Sequence, residues 1–141
     1  MIETLTRNEK YGNTGVQSEG LLEGRDAHAK GARWEEIEHR LYELRSLRDD
    51  WDGDGTPAPA SANVDAASIL LRWLLSQRGG SLPRPRITPG TNREVVIAWQ
   101  VGSNYFELEV TRPDRVEWVH IVAGARGADG AFVPPSIEAR P

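Results

Sequence analysis

Cysteine is absent from the 141-residue sequence. Its absence excludes disulfide bonds, thiolate metal sites and cysteine nucleophiles, and it fits a reducing compartment. The first residues carry no apolar stretch of the kind that marks a signal peptide. The longest apolar run, Ile69–Leu75, is interrupted by Arg72 and is too short to span a bilayer. These features predict a cytoplasmic protein that does not enter a membrane.

Familiar catalytic patterns are missing as well. The histidines His28, His39 and His120 do not have the close spacing that forms a zinc site. No serine lies in a G-x-S-x-G turn, no phosphate-binding P-loop is present, and the G-x-G of residues 53–55 follows no predicted strand. The sequence therefore predicts no cofactor and no catalytic residues, and it favours a non-enzymatic protein.

The charge of the chain is concentrated in one segment. The net charge is −4, and residues 31–56, with eight acidic and four basic side chains, account for all of it. Nucleic-acid binding depends on neutralising phosphates, so an acidic chain argues against it and is better suited to a basic partner. The alternative interpretation is an acidic helix face that is merely solvated.

Hydrophobic periodicity predicts two helices. In residues 32–48, apolar side chains recur at spacings of three and four and form one stripe: Trp34, Ile37, Leu41, Leu44 and Leu47. A second helix is expected to begin at Ser61 as N-cap and to end at Gly79–Gly80.

The second half of the chain predicts an antiparallel sheet. Three strand-like runs are separated by hairpin signals: Glu94–Gln100, Tyr105–Thr111 and Val116–Ala123. In the middle run, Phe106, Leu108 and Val110 alternate with polar residues, so one face should be buried and one wet. A turn at Asp129–Gly130 would allow residues 131–133 to add a fourth, edge strand. The proline-rich residues 81–92 should cross from helix to sheet in extended form.

Together these elements predict an α+β fold: two helices followed by a three- or four-stranded antiparallel meander, with the helices on one sheet face. The predicted organisation is a polar N-terminal extension over residues 1–30, a single domain over residues 31–123, and a Gly/Ala/Pro-rich C-terminal tail over residues 124–141.

The acidic loop between the helices is the most distinctive motif. Asp50, Asp52 and Asp54 reproduce the first half of a calcium-binding loop, D-x-D-x-D-G. The second half does not fit, because the twelfth position, where a bidentate glutamate is needed, is Ser61. The structural interpretation is a rigid turn held by aspartate side chains, with Trp51 buried as an anchor. The functional alternative is a binding loop formed by Trp51, Asp52 and Asp54.

A resemblance is carried by this loop and the segments that follow it. The residues W-D-G-D-G-T-P-A-P at 51–59, P-R-I-T-P at 85–89 and the strand ending at Trp99 resemble a group of small uncharacterised bacterial proteins. Their pattern runs W-D-G-x-G-A-x-P, helix, P-x-I-x-P, and then a strand ending E-W with two more strands. The chain departs from it at Thr56, Asn92 and Ala98. No activity is attached to that group, so the resemblance implies only the fold and the register.

Three classes of function follow from these observations. The first is a protein-interaction or accessory domain that binds another protein, such as one encoded in the same operon, through an exposed edge strand or the acidic loop. The second is a divalent-cation-dependent hydrolase or cation-binding protein that uses Asp50, Asp52 and Asp54. The third is nucleic-acid binding through arginines gathered at one end of the sheet: Arg84, Arg86, Arg93, Arg112 and Arg115. The sequence favours the first class. It contains no catalytic constellation that would support the second class, and the third lacks aromatic platforms on which bases could stack.

Overall fold

The computed structural model describes residues 31–79, 82–123 and 125–136. These residues form two helices followed by five strands: α1 (Trp34–Arg45), α2 (Ser61–Gln77), β1 (Arg86–Pro89), β2 (Val95–Val101), β3 (Asn104–Arg112), β4 (Arg115–Val122) and β5 (Ala125–Phe132). Every neighbouring pair of strands is antiparallel, and the order in the sheet is the order in the chain. The α+β meander predicted from the sequence is therefore confirmed. The predicted extension over residues 1–30 lies outside the described residues, as do residues 137–141.

Helix α1 follows from its charge pattern and its apolar stripe. Glu35 and Glu36 occupy the first turn and Arg45 the last, which complements the helix dipole. The buried residues are Ile37, Leu41 and Leu44, which lie on one side of the helix. The helix begins at Trp34 and ends at Arg45, so it is shorter than the predicted range of 32–48.

Helix α2 begins at Ser61, so the prediction that Ser61 is the N-cap is wrong. The N-cap is Ala60, in an extended conformation and without a side-chain cap. The amide of Ala60 donates instead to the carbonyl of Arg93, 3.1 Å away, in the connection between β1 and β2. The helix ends at Gln77 with Arg78 as its C-cap, and Gly79 follows directly, with a φ of +66° in the left-handed conformation that favours glycine, as predicted for the end of this helix.

Strand β1 lies within the segment that was expected only to cross from helix to sheet. Ile87 pairs with Ile97, and the strand ends at Pro89, which is tolerated because β1 is an edge strand. Arg40 of α1 covers this edge, since its Nε donates to the carbonyl of Ile87 at 2.7 Å. Helix α1 therefore occupies a backbone acceptor that an incoming strand would otherwise use.

Strand β5 is longer than the predicted edge strand. It spans Ala125–Phe132, so the turn predicted at Asp129–Gly130 is wrong and these residues pair with β4. Gly127 is the extra residue where the register shifts, which is a β-bulge. The indole of Trp118 lies over Gly130, where an added Cβ would come within 2.9 Å of the ring. The sheet thus extends past the predicted domain limit at residue 123.

The core lies between the two helices and one face of the sheet. Alternate residues of β2 and β3 are buried in it: Val95, Ile97, Trp99, Phe106, Leu108 and Val110. Trp99 is 1% exposed, and its indole N–H donates to the carbonyl of Pro83 at 2.7 Å. The helices contact β1, β2 and β3, and the other face of the sheet points away from them.

Candidate functional site

The acidic loop is held together by its own aspartate side chains. Asp52 Oδ1 accepts hydrogen bonds from the amides of Asp54 and Thr56, at 3.0 and 3.2 Å, and its other oxygen accepts the hydroxyl of Thr56. Asp50 Oδ1 accepts from the amide of Gly55 at 2.7 Å. These carboxylates are directed at the backbone of the loop, as expected for a structural turn.

Asp49 ties this loop to the sheet. Its Oδ1 accepts from the amide of Ala58 at 2.9 Å and from the guanidinium of Arg93 at 3.2 Å. The amide of Ala58, followed by Arg93, lowers the pKa of the Asp49 carboxyl. The pKa of Asp52 is lowered in the same way, first by the Thr56 hydroxyl and then by the Asp54 amide. Both carboxylates are already stabilised in their ionised form by groups of the protein itself.

The loop does not have the arrangement of a metal site. Across residues 31–79, 82–123 and 125–136, no group of three or more histidine, aspartate or glutamate side chains is placed to hold a metal ion. Asp50, Asp52 and Asp54 are therefore neighbours in sequence that the fold does not bring together as ligands.

Trp51 is not the buried anchor that the sequence predicted. Its side chain is 39% exposed and lies outside the hydrophobic core. The turn is fixed by polar contacts instead, including the hydrogen bond from the amide of Asp50 to the carbonyl of Thr56 at 2.8 Å. Trp51 remains accessible next to Asp52, as the binding-loop interpretation requires.

The arginines considered for nucleic-acid binding are divided between the two ends of the sheet, with Arg93, Arg112 and Arg115 at the same end. Arg84 and Arg86 lie at the start of β1, whereas Arg93 lies in the connection that follows the end of β1. Arg84 pairs with Glu36 at 3.2 Å, and Arg93 pairs with Asp49. Arg112 and Arg115 are paired as well, with Asp114 and Glu117, so four of the five arginines have an acidic partner that reduces the positive charge available to phosphates.

The sheet face opposite the helices, here called the outer face, carries a different set of side chains. A recess of about 520 Å³ lies over β3, β4 and β5. Its walls are formed mainly by residues that alternate with the core positions: Glu107, Glu109, Glu117, Val119, Asp129 and Ala131. No described helix packs on this face, since α1 and α2 both cover the opposite side.

The electrostatics of the recess centre on Glu109. Glu109 lies directly opposite Glu117 in the β3–β4 ladder, where like charges destabilise the pair. Burial raises the pKa of Glu109, and the charges of Glu94, Glu107 and Glu117 raise it further. Glu117 forms an ion pair with Arg115, whose Nε lies 3.0 Å from Glu117 Oε2. Among the described residues, no basic side chain forms an ion pair with Glu109.

Tyr105 extends this arrangement along β3. Its hydroxyl donates to Glu107 Oε1 at 2.6 Å. Burial, followed by this hydrogen bond and by the charge of Glu107, raises the pKa of Tyr105. The tyrosine thus stays protonated as a donor and fixes the position of the Glu107 carboxylate.

Sequence reasoning reached only part of this surface. The alternation along β3 predicted that Glu107 and Glu109 would lie on a wet face. The recess was not predicted because it needs the full length of β5, of which only residues 131–133 were expected to form a strand. It also needs the register that sets Glu117 opposite Glu109.

Comparison with known proteins gives no match to a family model, to a curated protein or to a solved structure. The resemblance carried by residues 51–59 and 85–89 stays a prediction. In the part of the chain that the structure describes, neither helix has the length and apolar character needed to cross a bilayer.

Proposed function

We propose that this chain is a non-enzymatic, cytoplasmic protein-interaction domain that docks another protein on the outer face of its sheet. The observation that supports this proposal is the recess of about 520 Å³ over β3, β4 and β5, on the face that no described helix covers. The cysteine-free sequence supports the cytoplasmic location.

The outer face has the mixed character of protein-binding surfaces. Val96, Val119 and Ile121 are half-buried on it, so apolar area is available between the charged side chains. Interfaces between proteins typically combine apolar patches with polar groups in this way. The strands beneath are paired on both sides in the middle of the sheet, which gives the surface a rigid base.

The edges of the sheet are less suited to carry this function. At the β1 edge, Arg40 already occupies the carbonyl of Ile87. At the β5 edge, the bulge at Gly127 interrupts the regular ladder. Bulges and covering side chains are devices that limit edge-to-edge pairing. The sheet face, and not strand addition, is therefore the docking mode that we propose.

The predicted alternative, a cation-dependent hydrolase, draws no support from the acidic loop. Asp50 and Asp52 accept hydrogen bonds from the loop backbone, and they are not part of a group of ligands. A hydrolase of this class would need these carboxylates directed at a shared ion.

The proposal is tested by capture with matched surface variants. The full chain is immobilised as wild type, as Val119→Arg and as Tyr42→Arg, and bound proteins from the native host are identified and then purified. Val119 lines the recess, whereas Tyr42 lies on α1 with 66% of its side chain exposed. We expect Val119→Arg to abolish binding of a purified, identified partner, while Tyr42→Arg binds like the wild type.

Thermal melts establish that both variants are folded. Retention of the partner by folded Val119→Arg would contradict the proposal, as would equal loss in both variants.

A further inference from the structure

The recess on the outer face is lined by four carboxylates, those of Glu107, Glu109, Glu117 and Asp129, and by one basic side chain, that of Arg115. We infer that the partner segment docked there is basic, an extended stretch of a second protein that places an arginine or lysine among Glu107, Glu109 and Glu117. This inference rests on the proposed function and specifies the chemistry of the partner.

The first argument is charge complementarity. Glu109 and Glu117 face each other across β3 and β4, and Glu107 lies beside them on the same face. Arg115 is paired with Glu117, so Glu109 is left without an ionic partner among the described residues. A cation placed between these carboxylates would replace a repulsion by an attraction, and such a partner is favoured over a neutral or acidic one.

The second argument separates this surface from the other acidic parts of the chain. In the loop, Asp49 and Asp52 are engaged by Ala58, Arg93 and Thr56, and the pKa of each is lowered. On α1, Glu43 is engaged by Arg40 and His39, and its pKa is lowered as well, chiefly by the hydrogen bond from Arg40. Among the acidic side chains that the structure describes, Glu109 is the one whose pKa is raised, first by burial and then by the charges of Glu94, Glu107 and Glu117. The outer face is thus the acidic surface that gains most from a basic partner.

The third argument concerns the shape of the bound segment. The recess runs across three strands, and its apolar wall is supplied by Val119 and Ala131. An extended segment can place alternate side chains toward the sheet, so a cation and an apolar side chain can occupy the recess together. A guanidinium group suits paired carboxylates best, since it can donate two parallel hydrogen bonds.

The N-terminal part of the same chain is a poorer occupant on charge. Residues 1–30 contain four basic residues, Arg7, Lys10, Arg25 and Lys30, against five acidic ones, Glu3, Glu9, Glu19, Glu23 and Asp26. This segment therefore has a net charge of −1 with histidine neutral. A separate basic protein provides the complementarity that this segment lacks.

The test uses a defined peptide and the full chain. The probe is a blocked peptide, Gly-Arg-Val-Arg-Val-Arg-Gly, with the same peptide carrying glutamine in place of arginine as the uncharged control. Binding is measured by calorimetry and mapped by amide chemical shifts. We expect the arginine peptide to bind with shifts centred on the outer-face residues of β3 and β4, and the glutamine peptide not to bind. Affinity should fall as salt is raised.

The matched variants remove one charge each from the two acidic surfaces. Glu109→Gln should weaken the arginine peptide about tenfold, as expected for loss of a charged hydrogen-bond partner. Glu38→Gln removes the same charge from the exposed face of α1 and should leave the affinity unchanged. Equal weakening by both variants would overturn the inference, and so would shifts centred on α1 or on residues 49–54. Spermidine that competes for the recess with affinity equal to that of the peptide would also overturn it, since the recess would then be a general polycation site.

The outcome is separable from that of the proposed function. If Val119→Arg abolishes capture of the purified partner but Glu109→Gln has no effect on that partner or on the peptide, the docking surface stands and the basic partner is wrong. If Val119→Arg has no effect on capture, the proposed docking surface itself fails.

Discussion

Glu109 on β3 and Glu117 on β4 lie directly opposite each other on the outer face, in neighbouring antiparallel strands. A pair of like charges in this position lowers the stability of a sheet by roughly 0.2–1 kcal/mol. Proteins tolerate a loss of stability of this kind mainly at functional sites, where the side chains present are not those that would stabilise the fold most.

The first prediction is that Glu109→Gln stabilises the free protein. The folded-state pKa of Glu109 is raised, so between the unfolded and folded pKa values the folded state binds more protons and stability falls as pH rises. Removing the ionisable group should therefore raise the free energy of unfolding by roughly 0.2–1 kcal/mol at pH 7.

Urea melts of wild type and Glu109→Gln at two pH values check this prediction. The gain should disappear near pH ~3, about one pH unit below the ordinary glutamate pKa, where the wild-type carboxyl is almost fully protonated in both states. Glu117→Gln is the control, and it should gain less because it also removes the ion pair with Arg115. A wild type that is more stable than Glu109→Gln at pH 7 would contradict this explanation.

The second prediction concerns the protected edge at β1. Arg40→Met removes the donor to the carbonyl of Ile87 and should cost about 0.5–1.5 kcal/mol, the usual contribution of one hydrogen bond. It should also increase light scattering on concentration, because an uncovered edge can pair with another chain.

Arg45→Met is the matched control on the same helix. It removes an exposed ion pair with Asp65, and exposed pairs contribute little. Urea melts and light scattering of the two variants should therefore differ. Equal stability and equal scattering would show that Arg40 has no special role at the edge.

The third prediction concerns the acidic loop. Asp52→Ala removes the acceptor for the amides of Asp54 and Thr56 and for the Thr56 hydroxyl, so it should lower the urea midpoint. Asp54→Ala keeps these hydrogen bonds and should lower the midpoint less. Millimolar calcium should leave the melting temperature of the wild type unchanged, since a bound ion would stabilise the fold. A clear rise that Asp52→Ala abolishes would instead support the cation-binding alternative.

The fourth prediction compares two tryptophans. Trp51 is 39% exposed and Trp99 is 1% exposed, so their contributions to stability should differ widely. Trp99→Ala should cost about 3–5 kcal/mol, as for a fully buried aromatic side chain. Trp51→Ala should cost well under this amount. Urea melts decide the point, and a similar loss in both variants would restore Trp51 as a structural anchor.

The helices and the central strands could be predicted from the sequence because their patterns are local. The spacing of Ile37, Leu41 and Leu44 is enough to indicate α1, and the alternation along β3 is enough to indicate a half-buried strand. Trp51 was assigned wrongly because composition does not show whether a turn is fixed by burial of an indole or by aspartate hydrogen bonds.

The edge strands could not be predicted because pairing, and not local preference, makes them extended. β1 contains Pro89 and is held between β2 and Arg40. β5 is rich in glycine and alanine, residues with little preference for strands, and it is ordered by pairing with β4 and by the contact of Trp118 with Gly130. The recess depends on β5, so the site could not be assembled from the sequence either.

The most direct test of the docking surface is methyl NMR of the full chain with its purified partner. Val119 and Ile121 lie on the outer face of β4, whereas Val122 lies on the opposite face of the same strand and is 41% exposed. We predict that saturating partner shifts or broadens the methyl signals of Val119 and Ile121 and leaves those of Val122 unchanged. Movement of the Val122 methyls while those of Val119 and Ile121 stay in place would contradict the account.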